Sequence, residues 1–143
     1  MRTRWYIITA TEAFVKGQDV IVLLALGLVI WVVGTFYYAS RGSLILETTT
    51  LRYWIAFAVS PIFSAILCVL ILRWRDIAPP NWAAAMLLLA IPGMIGEAVV
   101  LSQWATFMPK LQATSGGKYG AFLFATYAVV LGIAEFVTLR AAL

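Results

Sequence analysis

The chain has 143 residues, 64% of them apolar and 11% charged, with a net charge of +4. A soluble domain carries about 45–50% apolar and about 25% charged residues, and so short a chain cannot hide such an apolar excess inside a globule, so that surface has to face lipid. The ten basic residues stand singly or in pairs between apolar runs, the pattern of loops at a charged membrane surface, which sets nucleic acid aside as a partner.

The N-terminal stretch MRTRWYIITATEAFVKGQD does not read as a signal peptide. The apolar run after it starts late and ends in TFYYASRGS, without small residues at both positions of a cleavage site. The first span is therefore expected to be retained. Trp5, Ile8 and Phe14 with Arg2, Arg4 and Lys16 suit a short interfacial helix within residues 1–16, or equally a polar tail. Four apolar segments follow, at 20–38, 54–72, 82–107 and 119–139, and none contains Lys or Arg. Each reaches across about 30 Å of hydrocarbon at about 1.5 Å per residue. Backbone groups in lipid must pair within their own segment, so these are helices; a barrel would need many strands of alternating polarity. The expected fold is all-α, a membrane-embedded antiparallel four-helix bundle forming a single four-span domain in the lipid bilayer.

In the first span Gly27 and Gly34 share a face, while Trp31, Phe36 and Tyr37 read, like Phe107 later, as packing or interface aromatics rather than a cofactor box. No cofactor is expected. Residues 39–53, with Arg41 and Gly42, read as a connection. In the second span Ala56, Ser60 and Ser64 recur every four residues as a packing face, Pro61 bends the helix, and Cys68 is a buried, inert thiol. Arg73, Trp74, Arg75, Asp76, Pro79 and Pro80 end that span, and Asn81 caps the third. Residues 108–118, with Pro109, Gly116 and Gly117, read as the last connection. Trp54, Trp82, Tyr38 and Tyr119 lie at span ends, where amphipathic rings favour the headgroup level. Four crossings put both termini on one side, with Arg2, Arg4, Lys16, Arg73, Arg75 and Arg140. Arg41, Arg52, Lys110 and Lys118 fall on the other. Six against four favours both termini in the cytoplasm of a cell with a cytoplasmic (inner) membrane.

The third span, WAAAMLLLAIPGMIGEAVVLSQWATF, holds Glu97 near its middle, where a charge costs about 2.5–3.5 kcal/mol on insertion scales. Such a group faces the bundle interior or a water-filled cavity, paired or holding its proton. Pro92 and Gly93, one turn earlier, predict a kink, and Gly93 and Gly96 allow close helix approach. Two readings follow for Glu97: an ion- or proton-handling carboxyl, or packing with one interhelical hydrogen bond. Ser102 and Gln103 read as interhelical hydrogen-bonding groups, Gln103 well around the helix from Glu97. In the fourth span Ala121, Ala125, Ala128, Gly132 and Glu135 share a face, which predicts a tight helix contact; Glu135 either reaches the interface near Arg140 or is a buried functional carboxyl, and with Glu97 and Gln103 it makes up the candidate intramembrane polar site.

Three pieces carry a family resemblance: WVVGTFYYASRG, IPGMIGEAVVL and FMPKLQATSGGKYGAFLFATYAVVLG. With the order and spacing of the four spans, they resemble a small bacterial family of four-span membrane proteins known as a domain of unknown function. Its members often have Asp where this chain has Glu97, and a more polar segment than SRGSLIL after the first span. The resemblance implies a fold and a membrane, and no activity.

The absence of histidine removes the usual base of a nucleophilic triad, and one cysteine without histidine makes no zinc site, so no catalytic or metal-binding residues are expected. Glu97 and Glu135 are placed about 10–15 Å apart along the membrane normal, too far to share a proton. The favoured reading is a membrane component that assembles, as a homo-oligomer or with a membrane partner protein, without chemistry of its own. The alternative is a proton- or ion-coupled transporter of small cationic or lipophilic compounds using Glu97. It is similar in size and span number to small multidrug exporters, whose key Glu lies in the first span, where this chain has none.

Overall fold

The computed structural model describes residues 15–143; the interfacial-helix expectation for residues 1–16 thus falls almost wholly outside the described residues. Four long helices dominate: α1 (Gly17–Leu46), α2 (Thr50–Trp74), α3 (Trp82–Ser102) and α5 (Ser115–Ala141), with one turn of helix, α4 (Trp104–Phe107), before the last. No strand occurs among the described residues. All four long helices are apolar and long enough to cross a membrane, and their outward faces expose large side chains such as Ile21, Val33, Phe36, Phe63 and Phe124. In water this surface would be costly; against acyl chains it is not.

The helices overrun the expected spans. Residues 39–46, read as connection, complete α1: Ala39 to Leu46 keep their backbone bonds inside the helix, and Gly42 packs against Leu111. The link to α2 shrinks to Glu47–Thr49, where Thr48 Oγ1 donates back to Leu44 O at 2.7 Å and Thr49 Oγ1 caps α2 by accepting from Arg52 N at 3.2 Å. Gly116 and Gly117, also read as connection, sit in the first turn of α5. At the end of α2, Asp76 adopts φ 52°, and Asp76 N→Arg73 O and Ile77 N→Leu72 O close a Schellman-type stop, with Ile77 and Leu72 both buried. Pro79–Asn81 forms a 3-10 turn. Asn81 precedes α3 without a side-chain capping bond; Ala83 N instead donates to Thr138 Oγ1 of α5 at 2.9 Å.

Tertiary contacts set the order of packing. The broadest contact is α1 with α3, followed by α2 with α5 and α3 with α5. Gly27 faces Leu89, and Gly96 faces Trp31, so α1 and α3 run parallel; Tyr119 meets Glu97 and Thr138 meets Ala83, so α3 and α5 run antiparallel. α3 is the innermost helix: 39% of its most apolar stretch is buried, against 11–17% for the other three. Small residues explain this placement. A Cβ on Gly27 would collide with the Leu89 carbonyl oxygen, so the α1 and α3 backbones touch where glycine allows it.

Each end of the bundle is tied. At one, Arg75 Nε and Nη2 donate to Asp19 Oδ1 at 3.0 and 2.6 Å, joining the end of α2 to the start of α1, and Trp82 Nε1 donates to Ile77 O at 2.9 Å. At the other, Glu47 Oε1 accepts from Gln112 N and Ser115 Oγ, both at 2.6 Å. Trp104 Nε1 donates to Gln112 O at 3.0 Å, and Met108 and Leu111 are buried beneath that loop.

Candidate functional site

Between the tied ends lies a cavity of about 170 Å³ to which all four long helices contribute. From α1 come Trp31, Gly34 and Tyr38; from α2, Ser64 and Cys68. α3 supplies Met86, Leu89, Gly93 and Glu97, and α5 supplies Tyr119, Phe122, Thr126, Tyr127 and Val130. Of the lining residues, Glu97 alone carries a formal charge.

Glu97 is 8% exposed, and its neighbour Tyr119 is 1% exposed. The Tyr119 hydroxyl sits 3.0 Å from both Oε1 and Oε2, sharing one proton between two acceptors. Among the described residues no cation bonds Glu97, the one ion pair being Asp19–Arg75. A buried carboxyl is costly in its charged form unless it is paired or well hydrogen-bonded. The aromatic neighbours are themselves interlocked: Tyr119 packs on Tyr38 and Trp104 at centroid distances of 5.3 and 5.5 Å, and Tyr38 on Phe122 at 5.4 Å.

Glycines on α3 bring these rings inward. A side chain at Gly96 would overlap the Trp31 indole, and one at Gly93 the Tyr127 hydroxyl. The expected close approach at Gly93 and Gly96 is therefore made by large side chains of α1 and α5 rather than by bare backbone. Trp31 Nε1, and Thr35 Oγ1 one turn further along α1, are buried without a hydrogen-bond partner. Orphaned buried donors of this kind are uncommon and each costs about 1–3 kcal/mol. One carboxylate, one thiol and neutral groups fall short of the four ligands of a structural zinc site or the oxygen cage of calcium.

The expected site residues divide. Glu97 turns inward. Pro92 and Pro61 lie inside helices that continue through them; each lacks the N–H that would bond the residue four back, which leaves the Leu88 and Phe57 carbonyls without that donor. Ser64 reaches the cavity wall, and Ala56 and Ser60 are half-buried on the same helix. Gln103 is not a mid-span group: α3 stops at Ser102, and Gln103 is its exposed C-cap. Ser102 donates to Val99 O of its own helix at 2.8 Å instead of across helices. On α5 the small-residue face is turned outward, with Ala121, Ala128, Gly132 and Glu135 exposed and Ala125 half-buried. Glu135 lies more than four turns beyond Tyr119, away from the cavity, and Arg140 stacks on Phe136 at 5.3 Å.

Tyr119, Tyr127, Tyr38 and Trp31 are the site residues that sequence reasoning missed. Tyr119 and Trp82 were expected at the headgroups; both are buried, because each polar tip finds a protein partner, Glu97 or the Ile77 carbonyl. A signal was available in Tyr119, Phe122, Thr126 and Val130, whose spacing of three and four marks a second, bulkier stripe on α5.

Compared with known proteins, residues 44–141 match the model of a family of unknown function, DUF5367. The match takes in α2 to α5 and the last residues of α1, so the piece WVVGTFYYASRG lies before it. No curated protein and no solved structure matches.

Proposed function

The chain belongs to the DUF5367 family of unknown function, and from that premise we propose that it is a multi-pass membrane carrier which exchanges a proton for a small cationic or lipophilic compound at Glu97. The observation that carries this reading is the buried carboxyl facing a cavity built by four helices, with Tyr119 as its one side-chain partner among the described residues. Structural carboxyls in membranes are usually neutralised by a neighbouring cation or bonded across to several donors. Here the acid lines a cavity walled by four helices instead. Emptied, Glu97 keeps its proton; filled, it gives the proton up to water and holds the guest. Pro92, one turn from Glu97, weakens α3 beside the cavity, so the helix can flex there as the site changes its access.

Proton release from purified protein in nanodiscs, on addition of candidate compounds, tests the exchange. Release is expected in the native chain and lost in Glu97→Gln, with assembly unchanged. A variant that releases protons as the native chain does would remove the exchange reading.

A second reading rests on a separate observation: among the described residues the outward stripe Ala121, Ala128 and Gly132 on α5 is exposed, and a side chain at Gly132 would meet open space. On this reading the protein assembles through α5, as a homo-oligomer or beside a membrane partner protein, in the cytoplasmic membrane with both termini inside. Gly132→Cys in a Cys68→Ser background would crosslink readily in a dimer and not in a monomer.

A further inference from the structure

The cavity has a size, a charge and a wall chemistry, and together these select a ligand class. This step rests on the proposed exchange at Glu97 and narrows what is exchanged. Size comes first. About 170 Å³ is close to the roughly 150 Å³ of an engineered apolar cavity that takes up benzene, so the guest has the bulk of one small ring. Polycyclic cations and long-chain lipids are excluded unless the helices part.

Charge comes second. The other titratable groups lining the cavity with Glu97 are Tyr119 and Tyr127 from α5, Tyr38 from α1 and Cys68 from α2, and none is a base that would supply a permanent positive charge. A positive guest therefore replaces the proton with no change in net charge at the site. Wall chemistry comes third. A metal cation needs several oxygen ligands to replace its water, and beside one carboxylate the cavity wall offers neutral hydroxyls, those of Tyr38, Ser64, Tyr119, Thr126 and Tyr127. An ammonium group with organic substituents loses little hydration and is held by aromatic rings. Trp31, Tyr38, Tyr119, Phe122 and Tyr127 supply those rings from two helices.

We propose that the cavity is a binding site for compact organic ammonium cations, of which tetramethylammonium is the smallest useful probe. The exchange balances simply: the neutral Glu97 acid loses its proton to water, the carboxylate keeps the Tyr119 hydrogen bond, and the ammonium ion takes the proton's place without forming a covalent bond.

Calorimetric titration of the full chain in nanodiscs tests this with three probes: tetramethylammonium, the neutral and slightly larger analogue neopentyl alcohol, and the oversized tetrabutylammonium. Tetramethylammonium is expected to bind with release of about one proton and to bind at least tenfold more tightly than either of the others. Cys68, the chain's single cysteine and a wall residue, gives a second readout: tetramethylammonium slows its modification by a small neutral thiol reagent. Glu97→Gln should weaken binding at least tenfold and abolish proton release. Tyr127→Leu, which leaves the Glu97–Tyr119 pair intact, should weaken binding about fivefold, the scale of one cation–π contact, and keep the proton release. Equal affinity for neopentyl alcohol, or undiminished binding in a folded Glu97→Gln protein, overturns the proposal. Tetramethylammonium binding without uptake into sealed vesicles would uphold the ligand class and remove the carrier reading. Proton-coupled uptake of neutral compounds alone would do the reverse.

Discussion

Two stretches of this protein follow one sequence formula and meet opposite fates. Gly93, Gly96 and Glu97 on α3 combine small residues with an acid; so do Ala121, Ala128, Gly132 and Glu135 on α5. The α3 group is buried, with the Trp31 indole and the Tyr127 hydroxyl lying where side chains at its glycines would be. The α5 group is exposed, and a side chain added at Gly132 would meet no other described part of the protein within 4 Å. The difference teaches that a small-residue stripe is a permission and not an instruction. It becomes a contact only where a large side chain or a backbone arrives to use the space, and α5 presents the bulkier Tyr119–Phe122–Thr126–Val130 stripe to the interior instead. Burying the larger side chains removes more surface from lipid and gains more dispersion contacts.

Substitutions can break this contrast. The largest effect is expected at the interior glycines. Gly27→Ala pushes a methyl into the Leu89 backbone carbonyl, which cannot swing aside as a side chain would, so a loss of about 3 kcal/mol or more is expected. Gly132→Ala, in open space, should stay within about 1 kcal/mol of the native chain. Thermal unfolding in detergent, followed by size-exclusion chromatography, compares the two; equal melting temperatures would contradict the packing described for α1 and α3.

Next in size is the carboxyl pair. Tyr119→Phe removes the one hydroxyl bonded to Glu97 and should cost about 1–3 kcal/mol. Glu135→Gln, on the exposed side, should change stability by less than about 0.5 kcal/mol. The same melting assay reads both, and a larger effect at Glu135 would show that the outward face is covered by a partner.

The latch at the end of the bundle gives a smaller effect. In Asp19→Asn the acceptor loses its negative charge while Arg75 keeps its positive one, and a loss of about 1–2 kcal/mol is expected, since Asp19 is buried while Arg75 is part-exposed. Added salt should narrow that difference between variant and native chain. Smallest is Glu47→Gln at the opposite end. Glutamine keeps a carbonyl oxygen for Gln112 N and Ser115 Oγ, so about 0.5–1 kcal/mol is expected, read as faster hydrogen exchange in residues 108–115.

How much of this was legible in the sequence differs from residue to residue. Glu97 announced its burial because a charge inside an apolar span has few tolerable places to go, although the stop of α3 at Ser102 sets Glu97 in the last third of that helix and not near its middle. Tyr119 did not announce its role: a tyrosine at a span's edge satisfies the headgroup rule as readily as it satisfies a carboxyl, and only the facing helix separates the two. Gln103 sat inside one long apolar run, and the stop at Ser102 depends on α4 and the loop after it folding back onto Glu47 of α1. Residues 39–46 looked like a connection because Arg41 and Gly42 interrupt the apolar pattern, yet the helix carries Arg41 on an exposed side and Gly42 against Leu111.

By itself, the amino-acid sequence determined that the chain is helical, that four of its segments are apolar and long enough to cross a bilayer, and that one acid is buried among them. Those outcomes depend on local backbone pairing and on the transfer of side chains out of water, and neither requires knowledge of the neighbours. Only the tertiary structure decided which face of each helix turns inward, and so which rings surround Glu97. In lipid the inner and outer faces are almost equally apolar, so hydropathy does not choose between them; shape does, through the glycines of α1 and α3 and the large side chains that fill the space beside them.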